Sequence, residues 1–290
     1  MSLSDTTNLP KCKSGEEEEI KKTEVPSSFD WRKAYPGCTQ YAPQIPHNCS
    51  ASHIEATLSA MSDHICAGSN QNTTVRLSGQ ELLDCPKGTR NCKGGSVNHV
   101  LSWGKRKGFV EQSCYPDKET QDDECPVDHV YENDCRVKDS VYKVVDFCLA
   151  QEMDGVKREI LKNGPVIAQM AVATDFLTYK EGIYHRTQDS FKFPGNHIVK
   201  VVGWEMGDED GGQSYWIAQN VWGSDWGEEG FVKITMGETM LDSFAIGFAA
   251  YPMTMADYYA QQQGSQQQQE QMQAQQETIN MQAGEEAGEI

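Results

Sequence analysis

The sequence predicts an α+β protein of two lobes, in which a helix-rich first half is followed by a strand-rich second half. Between residues 50 and 66, Ile54, Leu58, Met61 and Ile65 recur at the spacing of one helical face. After residue 165, short runs rich in β-branched and aromatic residues alternate with glycine-containing turns. A chain of 290 residues is long enough for one large domain or two modest lobes.

The helices and strands have recognisable boundaries. Ser50 or Ser52 can cap the helix over residues 50–66, and Ser78 can cap a second helix in "SGQELLDC". A third helix, "SVNHVLSWGKRKG", closes at Gly108, and a fourth, "MDGVKREILKNGP", stops at Gly-Pro. The predicted strands are "PVIAQMAVA", "NHIVKVVGWE", "SYWIAQNVW" and "GFVKITM", with "GDEDGG" as hairpin material.

Changes in amino-acid composition divide the chain into three segments. Residues 1–25 are charged and predict an acidic N-terminal arm, residues 26–252 predict the folded domain, and residues 253–290 predict a Gln-rich, low-complexity tail. Residues 114–140 are rich in Cys, Asp and Pro, which predicts a long loop held by disulfides.

The charge excludes some partners. The chain has 25 Lys and Arg against 43 Asp and Glu, a formal net charge of -18, so we expect neither nucleic acid nor an anionic membrane as partner. No apolar run approaches the ~18 residues of a membrane helix, so we expect no membrane insertion. We expect no cofactor.

The cysteines and the N-terminus indicate different compartments. All ten cysteines lie within the first 148 residues, which favours a disulfide framework and an oxidising compartment. No CxxC pair occurs, so zinc is not predicted. The first residues contain no apolar segment typical of a secretory signal, which favours a cytoplasmic, ciliary or cytoskeletal assembly. A secreted or lysosomal protein remains the alternative.

Six motifs in order resemble the papain-like cysteine proteases, most closely the cathepsin B group. These are "FDWR", "AMSDHIC" with "LSGQELLDC", "NCKGG", "ILKNGPVIAQMAVATDFLTYKEGIYH", "GNHIVKVVGWE" and "QNVWGSDWGEEGFVKI". The resemblance runs from about Val25 to Pro252, and "QIPHNC" is similar to a short insertion of the cathepsin X group. It implies a papain-like fold with a helical lobe and a β-barrel-like lobe.

The resemblance also assigns the site. The family's Cys-Gly-Ser-Cys-Trp-Ala reads Cys49-Ser50-Ala51-Ser52-His53-Ile54 here, so Ser52 takes the nucleophile position. His197 and Asn220 match the other two catalytic positions, and Gln44 is the candidate for the oxyanion-hole glutamine. Gly94 and Gly95 would line a residual substrate groove, and the acidic residue at the floor of the specificity pocket of the cathepsin B group falls on Ile246.

These replacements predict a loss of catalysis. A papain-type site works through a thiolate–imidazolium pair, and a serine hydroxyl cannot be ionised by that arrangement. Val221 moreover replaces the family's serine after the catalytic asparagine, and His53 replaces its tryptophan. A metal site formed by His47, Cys49 and His53 is not favoured, because Cys49 is expected in a disulfide.

The resemblance implies two disulfides, Cys49–Cys92 and Cys38–Cys66. Cys85, Cys114, Cys125 and Cys135 would supply two more with open connectivity, and Cys12 and Cys148 would be left over.

The sequence therefore favours a catalytically inactive pseudoprotease with a binding or scaffolding role. Two alternatives stay open: a hydrolase that uses Ser52 and His197, and a cysteine protease whose nucleophile was changed to trap a substrate. The Gln-rich tail and the acidic arm predict contacts with other protein subunits of a larger assembly.

Overall fold

The fold is described by a computed structural model. The structure describes residues 25–39, 41–45, 49–85, 91–118, 125, 141–150, 152–187, 190, 192–207, 212–239, 241 and 247–254. The predicted N-terminal arm up to residue 24, Pro46 to Asn48, Cys135, Ile246 and the tail from residue 255 onward lie outside these residues.

Five α-helices occur in the described residues. They are α1 (Trp31–Ala34), α2 (Ser52–Gly68), α3 (Gly79–Asp84), α4 (Val97–Arg106) and α5 (Met153–Lys162), with short 3-10 helices at Asn91–Lys93 and Thr174–Thr178. None of the described helices is long and apolar enough to cross a membrane.

The described strands form one mainly antiparallel sheet. They are β1 (Ser28–Asp30), β2 (Phe109–Val110), β3 (Val141–Ala150), β4 (Val166–Ala173), β5 (Ile183–Tyr184), β6 (Lys192–Glu205), β7 (Tyr215–Gln219), β8 (Phe231–Thr235) and β9 (Gly247–Thr254). Their order is β2-β3-β9-β4-β6-β7-β8-β5, β1 pairs with β6, and only β5 and β8 run parallel among these pairs.

Three helix ends agree with the predicted capping residues: the start of α3 and the ends of α4 and α5. Ser78 accepts the Glu81 N–H at 3.0 Å and caps α3. Gly108 and Gly164 follow α4 and α5 with φ of +81° and +115°, a conformation that favours glycine.

The predicted cap of α2 is wrong. Its N-cap is Ala51, which forms no side-chain capping hydrogen bond. Ser52 is already the first helical residue, and its Oγ accepts a hydrogen bond from the Ile198 backbone instead. The Ser50 N–H donates to the Cys92 carbonyl at 2.9 Å, so Ser50 belongs to the loop that approaches the helix.

Two hydrophobic cores correspond to the two lobes. One core packs α2 and α4 against β3 and includes Ile54, Leu101 and Val144. The other packs α5 against the central strands and includes Trp204 and Trp216. The helical lobe and the strand lobe therefore form the predicted α+β architecture, with helix α2 set against strand β6 between them.

The disulfides were predicted in part. Cys38–Cys66 and Cys49–Cys92 are present, and Cys85 pairs with Cys125. Cys114 and Cys148 are disulfide-bonded as well, so the prediction that Cys148 is left over is wrong. Its position on β3 has no counterpart in the motifs that carried the resemblance, which is why that comparison gave it no partner.

Candidate active site

The candidate site lies where the N-terminus of α2 meets the sheet. The Cys49–Cys92 disulfide fixes the chain directly before the helix. The Ala51 carbonyl accepts the Ile54 and Glu55 N–H groups, and the first turn therefore begins at Ser52. The positive end of the helix dipole thus lies at the nucleophile position.

His197 and Asn220 are brought together by neighbouring antiparallel strands. His197 lies on β6, and Asn220 directly follows β7, whose Gln219 pairs with Lys200 of β6. The His197 Nε2 atom lies 2.7 Å from Asn220 Oδ1. The predicted pairing of these two side chains is present in the structure.

The hydrogen bonds around Asn220 define the histidine tautomer. Asn220 Oδ1 also accepts the Val221 backbone N–H at 2.8 Å, so this oxygen is an acceptor and His197 Nε2 is the donor. The proton of neutral His197 therefore sits on Nε2, and Nδ1 carries the lone pair. Asn220 Nδ2 is buried and has no hydrogen-bond partner in the described part of the chain.

His197 is partly buried and packs beside an aromatic ring. The Trp222 ring lies 5.0 Å from the His197 ring, and Trp222 in turn contacts Phe176 and Trp226. Burial lowers the pKa of His197 to about 4, and the hydrogen bond to Asn220 opposes this shift. His197 is therefore neutral at pH 7.

Ser52 is in the predicted position but does not bond to His197. Its Oγ accepts the Ile198 N–H at 3.4 Å, and within the described residues no hydrogen bond joins Ser52 to His197. This contact is long for a hydrogen bond, and Ser52 lacks the direct contact with a base that a nucleophilic serine needs.

Gln44 lies beside this group of residues. Its backbone forms a bridge with Trp222, and its side chain packs against Gly223, where a Cβ would lie 3.3 Å from the amide carbon and oxygen. The neighbouring Ile45 N–H donates to the Val221 carbonyl at 2.9 Å. Gln44 is exposed, and its role as an oxyanion-hole equivalent stays a prediction.

His53 lies beneath the predicted groove segment. Its side chain is only 2% exposed, and its Nε2 would lie 2.3 Å from a Cβ on Gly95, so only glycine fits there. Gly94 has a φ of +86°, which also favours glycine. Burial lowers the pKa of His53 to about 4, against a hydrogen bond to the Ser50 backbone. His53 is therefore a neutral packing residue.

Val221 is fully buried in the core beneath the site. It is apolar, and only its backbone takes part in the hydrogen bonds described above. Ile246 lies outside the described residues, and among those described no cluster of His, Cys, Asp and Glu has the arrangement of a metal site.

A buried polar network between α2 and β6 was not predicted from the sequence. Lys200 Nζ donates to Asp63 Oδ2 at 2.5 Å and to Ser59 Oγ at 2.8 Å. The signal was present, because Lys200 interrupts the apolar strand "HIVKVVGWE" and Asp63 lies on a helix with few charges. This network joins α2 to β6, the two elements that carry Ser52 and His197.

A helical lobe and a strand lobe that meet at a Ser-His-Asn group define a papain-like architecture. The family model of the papain family cysteine proteases matches residues 25–251, and this chain belongs to that family.

Solved and curated proteins show the same relationship. The chain is 30% identical to proCathepsin B S9 from Trypanosoma congolense, with a TM-score of 0.73 over 88% of this chain and 86% of that one. It is 31% identical to the tubulointerstitial nephritis antigen of Bos taurus over 82% of this chain and 55% of that protein. It is 30% identical to cathepsin B-like cysteine proteinase 2 of Haemonchus contortus over 74% of this chain and 69% of that protein.

The chain spans about half the length of the nephritis antigens it matches. The relatives include proteins named as proteinases and proteins named as antigens, so family membership alone leaves activity open.

Proposed function

We propose that this chain is a papain-family protein that does not cleave peptides and that acts as a binding or structural subunit. The observation that carries the proposal is the environment of Ser52. Its hydroxyl accepts the Ile198 N–H and, within the described residues, forms no hydrogen bond with His197.

The nucleophile lacks the means of activation. A cysteine at a helix N-terminus beside histidine becomes a thiolate because its pKa falls to ~3–4. A serine hydroxyl is far less acidic, so the helix dipole at Ser52 cannot ionise it. A serine instead needs a base that removes its proton as the bond to substrate forms.

The histidine is poorly suited to be that base. A general base works best when its pKa is near the working pH, and burial lowers the pKa of His197 to about 4. Proton transfer from Ser52 would create an imidazolium on a partly buried side chain beside the Trp222 ring. Asn220 orients the ring but carries no charge that could stabilise the imidazolium, as the aspartate of a Ser-His-Asp site does.

The neighbouring residues support loss of function rather than a single exchange. A protease with only its nucleophile changed would keep the surrounding residues of the family motif. Here Ser50, His53 and Val221 also depart from it, and His53 and Val221 are buried where they shape the site. These changes disfavour a trapped cysteine protease.

One observation favours residual hydrolase activity. The His197–Asn220 hydrogen bond is retained at 2.7 Å, and its tautomer leaves a lone pair on Nδ1. A serine hydrolase that uses Ser52 is therefore the second candidate function.

The decisive experiment combines turnover with active-site labelling. We expect the purified full chain to show no cleavage of Phe-Arg or dibasic peptides above a Ser52→Ala control, and no labelling by a fluorophosphonate probe. The physical reason is that neither an ionised nucleophile nor a competent base is available. Labelling of Ser52 that disappears in both Ser52→Ala and His197→Ala would establish the hydrolase instead.

We further propose that the chain is a subunit of a larger protein assembly. The support is compositional: the segment from residue 255 onward is Gln-rich, acidic and free of Lys and Arg, with few large apolar side chains. Such a segment cannot bury enough apolar surface by itself to offset ~1–2 kcal/mol of ordering entropy per residue. Contacts with neighbouring subunits would supply that surface, with the acidic arm as a second contact.

Truncation tests the assembly proposal. Removing residues 255–290 leaves strand β9, which ends at Thr254, intact. We expect the shortened chain to keep its unfolding midpoint but to be recovered in a smaller complex by size-exclusion chromatography of extracts from its natural source. Elution of both forms at the same position would exclude the tail as a docking segment.

A further inference from the structure

The chain contains two Asn-x-Ser/Thr sequences, Asn48-Cys49-Ser50 and Asn72-Thr73-Thr74. This is the acceptor pattern for N-linked glycosylation, and the pattern alone occurs often by chance. The structure describes all three residues of the second pattern, whereas of the first it describes Cys49 and Ser50 but not Asn48.

Asn72 lies in an exposed turn after helix α2. The turn passes through Asn70 with a φ of +54°, and Ser69 holds it in place. The Ser69 carbonyl accepts the Asn72 N–H at 3.2 Å, and Ser69 Oγ accepts the Thr73 N–H at 2.9 Å. This geometry fixes the backbone and leaves the Asn72 side chain in solvent.

Both groups that the acceptor pattern requires are available. The side chains of Asn72 and Thr74 are exposed, and neither forms a hydrogen bond with any described residue. A bulky substituent on Asn72 Nδ2 would therefore displace no described contact.

The other acceptor sequence is less suitable. Its middle residue, Cys49, is 6% exposed and is bonded to Cys92. The Ser50 N–H donates to the Cys92 carbonyl, so the second half of the sequence is tied to the loop that precedes α2.

The cysteines supply an independent observation about compartment. Every described cysteine is disulfide-bonded, including the pairs Cys38–Cys66 and Cys85–Cys125. Several disulfides in one chain are typical of the secretory pathway and extracellular space, which is also where N-linked glycans are added. This favours the secreted or lysosomal alternative stated in the sequence analysis.

We propose that Asn72 carries an N-linked oligosaccharide. In the transfer, the Asn72 amide nitrogen forms a bond to the anomeric carbon of an oligosaccharide donated by a lipid pyrophosphate. The bond from that carbon to the pyrophosphate oxygen breaks, the lipid pyrophosphate leaves, and the amide loses one proton to a base of the transferring enzyme.

The location defines what the glycan covers. Helix α2 contains 17 residues and is therefore roughly 25 Å long. Ser52 is its first residue and Asn72 follows its other end, so a glycan on Asn72 leaves the cleft open. It lies instead beside a cavity of about 320 Å³ whose lining includes Thr74, Val75 and Arg76. A glycosylated face is unsuited to close protein contact, so a partner would dock on another surface.

Mass spectrometry of the full chain from its natural source tests the proposal. The protein is treated with peptide N-glycosidase in heavy-oxygen water, which converts a glycosylated asparagine into aspartate that carries the heavy isotope. We expect the labelled aspartate at position 72. An unmodified Asn72 in the native protein would overturn the proposal.

Three variants expressed in the same cells give matched controls. Thr74→Ala removes only the hydroxyl two residues after Asn72 and is expected to abolish the glycosidase-sensitive gel shift, whereas Thr74→Ser should retain it. Asn48→Gln should also retain it. A shift of unchanged size in Thr74→Ala, or one that disappears in Asn48→Gln, would show that Asn72 is not the acceptor.

Discussion

A Ser52→Cys variant is expected to remain at least about a hundredfold below a family protease in kcat/KM for Phe-Arg peptides, because restoring the sulfur does not restore its surroundings. Burial disfavours the imidazolium at His197, which weakens the thiolate–imidazolium pair that the new thiol would need. His53 and Val221 would still shape the site from beneath. Fluorogenic peptide hydrolysis of both proteins, assayed together, measures the difference.

The ionisation of the introduced thiol gives a readout that does not depend on turnover. In a thiolate–imidazolium pair the alkylation rate is already high at pH ~4–5, because the thiol pKa is ~3–4. Here we expect the rate of iodoacetamide alkylation to rise with pH towards the ordinary thiol pKa of ~8.5. The same profile in Ser52→Cys/His197→Ala would confirm that His197 does not pair with the thiol.

One result would contradict the prediction that Ser52→Cys stays nearly inactive. Turnover by Ser52→Cys near that of the family protease, lost again on His197→Ala, would mean that the cleft is intact apart from its nucleophile. The chain would then be a protease with one exchanged atom.

The largest expected loss of stability comes from Lys200→Met. The side chains of Lys200 and Asp63 are 1% and 4% exposed, and their Nζ and Oδ2 atoms are 2.5 Å apart. Removing the ammonium leaves a buried carboxylate without its counter-charge, which costs about 3–5 kcal/mol of unfolding free energy. Urea unfolding followed by tryptophan fluorescence measures the loss.

The loss of unfolding free energy in Lys200→Met should increase as the pH rises. Burial raises the pKa of Asp63 to about 6 even though Lys200 acts to lower it, so without Lys200 the pKa should rise further. The folded variant would then hold a proton that the unfolded chain releases at about pH 4. Its stability should therefore fall as the pH rises through this window, and the loss should be smaller at pH 5 than at pH 8.

Two controls separate the buried pair from a general loss of charge. Lys105 and Asp146 form an ion pair at 3.1 Å with side chains that are 50% and 63% exposed, so Lys105→Met should cost less than about 1 kcal/mol. The double variant Lys200→Met/Asp63→Leu should be more stable than Lys200→Met, because no uncompensated charge remains. A Lys200→Met loss as small as that of Lys105→Met would contradict the assigned role.

The buried network also explains how the lobes are held together. Ser59 Oγ, which accepts from Lys200, donates to Gln219 Oε1 at 3.0 Å. Gln219 Nε2 in turn donates to the Tyr41 carbonyl at 2.8 Å. These hydrogen bonds join helix α2 to strands β6 and β7 and to the segment that contains Gln44. This network can maintain the shape of the cleft whether or not the cleft is catalytic.

Local chemistry made several elements predictable from the sequence. The spacing of Ile54, Leu58 and Met61 predicts α2 because residues three and four apart share a helical face. Ser78 and Gly108 mark helix ends because their effects act within one turn. The family motifs likewise located Ser52, His197 and Asn220, since their positions in the motifs are fixed.

Strands β3 and β9 were not predicted, and each departs from simple strand patterns. Their register shifts between Val144 and Phe147, which breaks the alternation expected of a half-buried strand. Strand β9 contains Pro252 and continues to Thr254, two residues beyond the predicted end of the folded domain. Strands β3 and β9 pair with each other although about a hundred residues separate them, so the sequence of either strand does not indicate its partner.

The sequence by itself determined the family, the two-lobed fold and the candidate group Ser52, His197 and Asn220. Only the tertiary structure decided what those residues contact. Ser52 accepts from Ile198, 146 residues further along the chain, and Lys200 pairs with Asp63 across 137 residues. Helical periodicity, caps and turns act over a few residues, whereas these contacts depend on how α2 lies against β6. That packing exists only once both lobes have formed.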